Sequence, residues 1–245
     1  MASLLENRFH LKEAGTDVRT EVLAGITTFM TMAYIIFVNP GILQNAGMPF
    51  GALMTATCLA SALATFLMAF MANYPIALAP GMGLNAFFAF GVVLGMGISW
   101  QVALAAIFIE GILFILLTLT KVRETIVNGF PKSLKIGIST GIGLFIAFIG
   151  LQSAGVIVKN DAVLVGLGNL KSVEVLLAFA GFFIMVTLEV RRVKGAILWG
   201  ILAVTGLAIA LGVAKMPDGV VSMPPSVMPI FGKMDFSGIA NPNFW

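Results

Sequence analysis

The residues of this sequence best suited to hold a small ligand lie in the stretch 73–90, NYPIALAPGMGLNAFFAF. The Asn85 side chain offers hydrogen-bond donors and an acceptor together, which suits a ligand with mixed polar edges. The rings of Phe87 and Phe88 offer faces on which a flat ligand can stack. Four residues that disfavour a regular helix precede the amide: Pro75, Pro80, Gly81 and Gly83. The pattern predicts a binding site built on irregular backbone.

The same stretch lies within a segment apolar enough to cross a membrane. Inside hydrocarbon an unpaired backbone N–H or C=O is costly, so irregular backbone persists only where protein buries it or where it lines a wet cavity. We therefore predict that Ala79–Asn85 is extended or unwound and that its backbone groups line a small polar pocket. The alternative is a proline kink without a binding role, whose freed backbone groups are satisfied by neighbouring helices. Two prolines, two glycines and an asparagine within 75–85 favour the functional break.

Two further polar features lie inside apolar segments. Glu110, in AIFIEGILF, is an acidic residue well inside a span, which makes it a candidate for ion coupling. Its neighbour Gly111 equally allows a structural role, in which the carboxyl group bonds an adjacent helix. Thr27, Thr28 and Thr31 give the first span a hydroxyl-bearing side, which either contacts a ligand or bonds the carbonyl one turn back.

The reactive residue types argue against an enzyme. His10 and Cys58 are the single histidine and cysteine, which excludes an internal disulfide and a CxxC-type metal site. An intramembrane enzyme would need a nucleophile–base pair or a metal cluster within its spans. We expect no catalytic residue and no metal, with His10 at the surface and Cys58 as a small buried residue. No basic stripe alternates with aromatics, so we expect no nucleic-acid partner.

The elements that position these residues are membrane-spanning helices. The chain is 59% hydrophobic and 10% charged, with a mean hydropathy of +1.04, whereas soluble domains carry about 25% charged residues. A spanning helix needs about 20 mostly apolar residues. Seven segments approach or meet that requirement: 22–38, 51–71, 75–95, 100–119, 134–152, 173–189 and 196–213. We predict an all-α integral membrane protein of about seven transmembrane helices, the third discontinuous with a short extended segment.

The charges in the connecting segments predict the orientation of these spans. With the N-terminus inside, ten Lys and Arg residues fall inside and four outside, and cytoplasmic loops are the ones that carry excess positive charge. The inside set is Arg8, Lys12, Arg19, Lys121, Arg123, Lys132, Lys135, Arg191, Arg192 and Lys194, and the outside set is Lys159, Lys171, Lys215 and Lys233. The N-terminus is therefore predicted to be cytoplasmic, and LLENRFHL to form a short amphipathic helix on that surface.

Several stretches together resemble the AzgA-like purine permeases of the nucleobase/ascorbate (nucleobase–cation symporter) transporters. They are TTFMTMAYIIFVNP in the first span, APGMGLNAFFAF in the third, FIEGILFILLTLTKVRETIVNGFP, and SLKIGISTGIGLFIAFIGLQSAGVIV. The resemblance runs along the chain from about Asn7 onwards, and the third-span motif is its most specific part.

The resemblance implies a fold of two inverted seven-span repeats, of which this chain matches the first. A core domain of spans one to four and eight to eleven moves against a gate domain, and short strands in spans three and ten hold the base at the midplane. On that basis the chain divides into a cytoplasmic leader (1–21), a core-domain part (22–120), a cytoplasmic connector (121–135), a gate-domain part (136–213) and an external tail (214–245).

The resemblance also implies proton-coupled uptake of adenine, guanine or hypoxanthine across the plasma (inner) membrane. The proton gradient supplies the energy, and no cofactor is expected. Asn85 matches the family's binding asparagine, and Phe87 with nearby backbone borders the purine. The expected substrate contacts are Asn85, Ala86, Phe87, Phe88, Gly83, Thr31 and Phe29. The expected partners are the purine base, the lipid bilayer, a C-terminal half (spans 8–14) in cis or as a separate chain, and a second copy in a homodimer.

The family's eighth span, with an FDTxGT-like acidic motif, and its tenth span have no counterpart in this sequence. The chain is therefore interpreted as one inverted repeat that does not transport alone, and Glu110 does not replace the acidic groups of the other half. Two alternatives stay open. An anion carrier of the same fold would favour a basic residue near the break, and none of the 14 Lys and Arg lies in spans one to four. A non-transporting membrane assembly subunit is the other.

Overall fold

The computed structural model describes residues 8–120, 122–160, 163–216 and 222–239. Most of these residues are helical. The helices are α1 (Val18–Met32), α2 (Ile35–Leu43), α3 (Phe50–Leu67), α4 (Met82–Ala86), α5 (Trp100–Leu119), α6 (Val122–Gly129), α7 (Lys132–Ser153), α8 (Val173–Val190) and α9 (Ala196–Ala210). The first part of the predicted leader helix, and Lys121 of the charge analysis, lie outside the described residues.

Five helical stretches of the described residues are long and apolar enough to cross a membrane. They are Val18–Ala46, Phe50–Ala72, Trp100–Leu119, Lys132–Ser153 and Val173–Val190, and two shorter apolar helices are Met82–Gly95 and Ala196–Ala210. Each of the seven predicted segments overlaps one of these helices. The prediction of a mainly helical membrane protein is confirmed, and the crossing of the bilayer by the two shorter helices stays a prediction.

The first helix begins at a side-chain cap. The Asp17 carboxylate accepts hydrogen bonds from the Thr20 hydroxyl and from the Thr20 N–H, the latter at 3.2 Å. Such a cap satisfies one of the backbone N–H groups that the first helical turn leaves unpaired. The same hydrogen bonds, the hydroxyl's foremost, hold the pKa of the Asp17 carboxyl below its ordinary value.

A β-hairpin between α7 and α8 was missed by the all-α prediction, which is wrong for this segment. Strands β1 (Ile157–Asn160) and β2 (Leu164–Leu167) pair antiparallel, with Ile157 opposite Leu167 and Asn160 opposite Leu164. The segment is rich in Val and Ile, which favour the extended conformation of a strand because their branched side chains pack well on a pleated surface.

The predicted connector 121–135 is largely helical, since α6 and the start of α7 occupy it.

The chain divides into two compact units of packing. One is drawn from Met1–Val38, Thr57–Pro80 and Ala154–Met223, and the other from Asn39–Ala56, Gly81–Ser153 and Pro224–Trp245. In the first unit α8 and α9 pack directly on each other. In the second, a hydrophobic core brings together buried side chains of three segments: Ala46, Met48, Leu53, Phe88, Ala89 and Ala103. The predicted division into core-domain and gate-domain parts stays a prediction.

The described end of the predicted tail is anchored to the second unit. The Thr55 hydroxyl in α3 donates a hydrogen bond of 2.8 Å to the carbonyl oxygen of Pro225. The Asp235 N–H donates to the carbonyl of Gln101 at 3.1 Å, and Ile230 packs against the core of that unit. The segment 224–239 therefore follows the surface formed by the starts of α3 and α5.

Candidate functional site

The first part of the third apolar segment is not helical, and a discontinuous third span stays a prediction. Residues 73–81 carry no helix, and α4 begins at Met82, preceded by Gly81 in an extended conformation (φ −76°, ψ 102°). The Asn85 N–H already donates to the Gly81 carbonyl at 3.1 Å, as in a first helical turn. The prediction of an unwound Ala79–Asn85 is therefore wrong from Met82 onwards. Glycines only weaken a helix, whereas Pro75 and Pro80 remove backbone donors outright.

A hydroxyl of α3 holds Leu78, in the middle of the non-helical segment 73–81. The Leu78 N–H donates to the Thr65 hydroxyl oxygen at 3.0 Å, and the same hydroxyl donates to the Leu78 carbonyl at 3.3 Å. One side chain thus satisfies both backbone groups of one residue, which a neighbouring strand would otherwise do. Thr65 was not among the predicted site residues.

The non-helical segment 73–81 borders a cavity of about 340 Å³, which lies at the lower end of the range for small-molecule sites, roughly 300–1,000 Å³. Its walls come from α1, α2, α3 and the non-helical segment, and they include Phe29, Ile36, Thr57, Ser61, Thr65 and Leu78. Three of these side chains are hydroxyls spaced four residues apart on α3, so they follow one face of that helix. Among the described residues, the buried Ser61 hydroxyl oxygen has no hydrogen-bond partner.

In the second unit, the Asn85 amide is paired with another asparagine. The Asn85 Nδ2 donates a hydrogen bond to the Oδ1 of Asn39, which lies in α2 beside Pro40 and is only 2% exposed. With one N–H held by Asn39, the Asn85 side chain has a defined orientation, and its Oδ1 keeps the capacity to accept. Asn39 is a residue that sequence reasoning missed, although a polar amide in IIFVNP, within an apolar run, was a signal for it.

The other predicted contacts are found in three different settings. Phe29 lines the 340 Å³ cavity, whereas Thr31 lines a separate cavity of about 380 Å³ beside Arg192 and Lys194. Ala86 and Phe88 are buried, 1% and 5% exposed, and Phe88 belongs to the hydrophobic core. The roles of Ala86 and Phe88 as substrate contacts stay predictions.

Phe87 and Gly83 occupy the helix that follows the break. Phe87 is 53% exposed. It is the first residue of a π-helical stretch, Phe87–Gly95, and such wide turns frequently occur at functional sites. Gly83 lies so close to α7 that a Cβ atom there would approach Ile142 Cγ2 to 2.4 Å. Their roles as substrate contacts stay predictions.

The polar groups in the other spans have simpler environments. The hydroxyls of Thr27 and Thr28 donate to carbonyls one turn back, at 2.8 and 2.9 Å, and that of Thr31 donates to the Thr28 carbonyl at 2.7 Å. Glu110 is exposed on α5, and it makes no hydrogen bond or ion pair with the part of the chain that the structure describes. Neither the coupling role nor the structural role of Glu110 is tested by this arrangement.

The single histidine and the single cysteine differ in whether the structure agrees with their predicted exposure. The His10 side chain is 58% exposed and lies 3.8 Å from Glu13, as expected of a surface residue. Cys58 was expected to be buried, and that expectation is wrong, because it is exposed on α3, at the wall of the cavity. Within the described ranges no group of three or more His, Cys, Asp or Glu side chains is placed to hold a metal ion.

The chain is similar to known proteins along most of its length. Residues 19–240 match the model of the Permease family (Xan_ur_permease). The chain is 50% identical to the adenine permease AdeP of Escherichia coli over 97% of its own length and 53% of the relative's. It is also 50% identical to the guanine/hypoxanthine permease PbuO of Bacillus subtilis, over 88% of this chain and 50% of the relative. A third relative, a Methanocaldococcus jannaschii protein named as a permease without a substrate, is 57% identical over 97% of this chain and 54% of the relative.

The chain therefore spans about half the length of the curated relatives it matches, and the matched part is their N-terminal half. The resemblance to purine permeases of the nucleobase/ascorbate transporters is confirmed by these matches, which include adenine and guanine/hypoxanthine permeases. With a family model covering nearly its whole length and apolar helices throughout, the chain belongs to the Permease family of multi-pass membrane proteins.

Proposed function

We propose that this chain forms half of a membrane transporter for purine nucleobases, with adenine, guanine and hypoxanthine as the candidate substrates. The observation that carries the proposal is the 50% identity to an adenine permease along 97% of this chain. Similar identity to guanine/hypoxanthine permeases supports a site that accepts the purine ring system in general. We name no preferred purine.

The Asn85 amide is the group to which we assign recognition of the base. A purine presents N–H donors and ring-nitrogen acceptors on its edges, and an asparagine can meet both kinds of group. The hydrogen bond from Asn85 to Asn39 supports this role because it fixes the amide before a ligand arrives. An orientation fixed in advance lowers the entropy that binding costs. Phe87, half-exposed beside it on the same helix, is the ring that we expect to stack on the base.

The complete transporter is proposed to contain a second seven-span half, in cis or as a separate chain, that forms an inverted repeat with this one. It would work by alternating access, with a discontinuous third span at the midplane and a counterpart in the other half. The proton gradient would drive uptake through an acidic group of that other half, and a homodimer is a further expected assembly. We propose the plasma (inner) membrane as its location, with the N-terminus cytoplasmic.

Two alternatives are less well supported. An anion carrier of the same fold would need positive charge near its substrate. Residues 22–119, which include Asn85, contain no Lys or Arg. A non-transporting assembly subunit would have no need of a polar amide pair inside apolar helices. Neither alternative accounts for the purine permeases among the relatives. An enzyme is disfavoured because those relatives are permeases.

Uptake of radiolabelled adenine, guanine and hypoxanthine in a bacterial strain without purine permeases tests the proposal. The chain is expressed alone, together with the remaining half of the E. coli adenine permease, and as that pair with Asn85→Ala. We expect saturable uptake by the pair, abolished by a protonophore and strongly reduced by Asn85→Ala. A membrane-inserted pair that takes up none of the three bases would overturn the substrate assignment, and uptake by the chain alone would overturn its role as half of a transporter.

A further inference from the structure

A short helix joins two helices that are long enough to cross a membrane. The long helices are α5 (Trp100–Leu119) and α7 (Lys132–Ser153), and α6 (Val122–Gly129) lies between them. The eight residues of α6 advance the chain by only about 12 Å, less than half the roughly 30 Å thickness of the hydrocarbon core. With α5 and α7 both crossing the bilayer, α6 is therefore held at the membrane surface where α5 ends and α7 begins.

One face of α6 is apolar and exposed. Val122 and Ile126 are four positions apart, so they lie on the same face of the helix, and Phe130 continues this row just past the helix end. Val122 and Phe130 are each 43% exposed, and Ile126 is 49% exposed. Glu124 and Asn128 lie on the other side, since each follows a residue of the row by two positions, a rotation of about 200°. The helix is thus amphipathic, and its apolar face is not packed into the protein core.

The segment that carries this face is basic. Residues 121–135 contain the cations Lys121, Arg123, Lys132 and Lys135 against the acidic residue Glu124. Within the part of the chain that the structure describes, Arg123, Lys132 and Lys135 form no ion pair. Their positive charge is therefore not neutralised by carboxylates of the described residues.

The Arg123 side chain is held in place by the span that precedes it. Its guanidinium carbon lies 4.5 Å from the centroid of the Phe114 ring, in α5, which is a cation–π contact. Stacking on the face of a ring leaves the N–H donors in the guanidinium plane able to bond phosphate oxygens. The contact ties an anion-binding group and the apolar face of α6 to the same end of α5.

We propose that α6 and its flanking cations form an interfacial surface that docks on anionic phospholipid headgroups. The apolar row enters the boundary between headgroups and acyl chains, as the apolar faces of amphipathic helices do, while Arg123, Lys132 and Lys135 meet the phosphates of lipids with net negative charge. This segment lies on the side that we propose to be cytoplasmic, and the cytoplasmic leaflet is the negatively charged one. The inference goes beyond the proposed function and does not depend on which substrate is carried.

Nitroxide labels on the two sides of α6 test the docking in the 245-residue chain. Cys58→Ser removes the single cysteine, Ile126→Cys then places a label on the apolar face, and Asn128→Cys places the matched label on the polar side. The labelled chains are put into nanodiscs of phosphatidylcholine with increasing fractions of phosphatidylglycerol. Electron paramagnetic resonance measures the collisions of each label with oxygen, which concentrates in hydrocarbon, and with a water-soluble nickel complex.

We expect the label at position 126 to lose contact with the nickel complex and gain contact with oxygen as the phosphatidylglycerol fraction rises. The label at position 128 should stay in contact with water. High salt should reverse the change at position 126, because it screens the attraction between the cations and the lipid phosphates.

Neutralising the cations tests the role of charge. Each Lys or Arg near an anionic surface strengthens docking roughly fivefold, so Lys132→Gln combined with Lys135→Gln should weaken it about 25-fold. The double variant should therefore need more phosphatidylglycerol for the same shielding at position 126. Lys159→Gln combined with Lys171→Gln is the matched control, since it makes the same change of charge outside 121–135, and an equal effect of this control would overturn the assignment to α6.

Three further results would overturn the proposal. Access of the nickel complex to position 126 at every lipid composition would show that the apolar face does not dock. Equal shielding in phosphatidylcholine alone would show that its burial needs no anionic lipid. Shielding accompanied by spin–spin broadening, which dilution with unlabelled chain removes, would assign the face to a second copy of this chain.

Discussion

The pairing of Asn39 with Asn85 makes a prediction that a double-mutant cycle can test. The change is Asn39→Leu, which removes the acceptor of the Asn85 Nδ2 while keeping the number and branching of the side-chain heavy atoms. If Asn39 matters because it orients the Asn85 amide, its loss should weaken purine binding only where that amide is present. In an Asn85→Leu background, the same change at Asn39 should have almost no further effect.

The expected size follows from the burial of the two amides. Leaving a buried donor or acceptor without a partner costs about 1–3 kcal/mol. Asn39 is 2% exposed, but Asn85 is only half-buried, so water can partly replace the lost acceptor and the lower limit applies. About 1 kcal/mol corresponds to roughly a fivefold weaker affinity. In the Asn85→Leu background, Asn39→Leu should change the affinity by less than about twofold, because the effects of substitutions within one hydrogen-bond network do not add.

The assay is the concentration dependence of adenine uptake by the four members of the cycle, each paired with the remaining half of the adenine permease. The amount of each variant in the membrane is measured by blotting, so that a folding defect is separated from a binding defect. Equal and additive losses from the two substitutions would refute the reasoning, since Asn39 would then act without Asn85. Thr118→Val, which removes an exposed hydroxyl that bonds the Phe114 carbonyl of its own helix, provides an unaffected reference.

Three further predictions follow from contacts of the same helices. A Gly83→Ala substitution should destabilise the protein by about 1–3 kcal/mol, because its Cβ would meet Ile142 Cγ2 at 2.4 Å; thermal unfolding should show recovery when Ile142→Ala is added, and no recovery would contradict this contact. Thr55→Val removes the 2.8 Å hydrogen bond to the Pro225 carbonyl, so limited proteolysis should cut within 224–239 faster than in wild type; an equal rate would mean that the bond does not anchor the tail. Glu110→Gln should leave adenine uptake and its sensitivity to a protonophore unchanged, and loss of that sensitivity would assign proton coupling to this carboxyl group.

Most of the helices could be predicted from the sequence because a run of about 20 apolar residues has few other stable states in a membrane. The hairpin was missed for a related reason. The segment around Ile157–Leu167 is short and rich in Val, Ile and Leu, and periodicity does not separate a short strand from a piece of buried helix. Its antiparallel register depends on pairing between strands, which single residues do not reveal.

The non-helical start of the third segment shows how proline and glycine differ in their effect on a helix. A glycine costs a helix about 1 kcal/mol, whereas a proline costs about 3 kcal/mol in its interior. The non-helical segment 73–81 accordingly includes Pro75 and Pro80, and α4 begins at Met82 although Gly83 follows. The prediction continued the unwound stretch through Gly83 to Asn85, whereas the helix begins at Met82.

The candidate site was predicted in its residue types but not in its partners. Asn85 was identified because its amide offers donors and an acceptor beside helix-breaking residues in an apolar span, and because it matches the binding asparagine of the family. Asn39 lies 46 positions away in the chain, and Thr65 meets Leu78 across 13 positions. Such contacts depend on how the helices pack, and a single sequence carries no direct record of that packing.

Direct binding of adenine to the assembled pair tests the central claim without depending on proton coupling or on the rate of transport. The purified pair in nanodiscs is titrated with radiolabelled adenine, and the bound label is competed with unlabelled guanine, hypoxanthine, uracil and sulfate. The account predicts saturable binding of adenine that the other purines displace and sulfate does not. Binding that sulfate displaces and purines do not would contradict it and favour an anion carrier of the same fold.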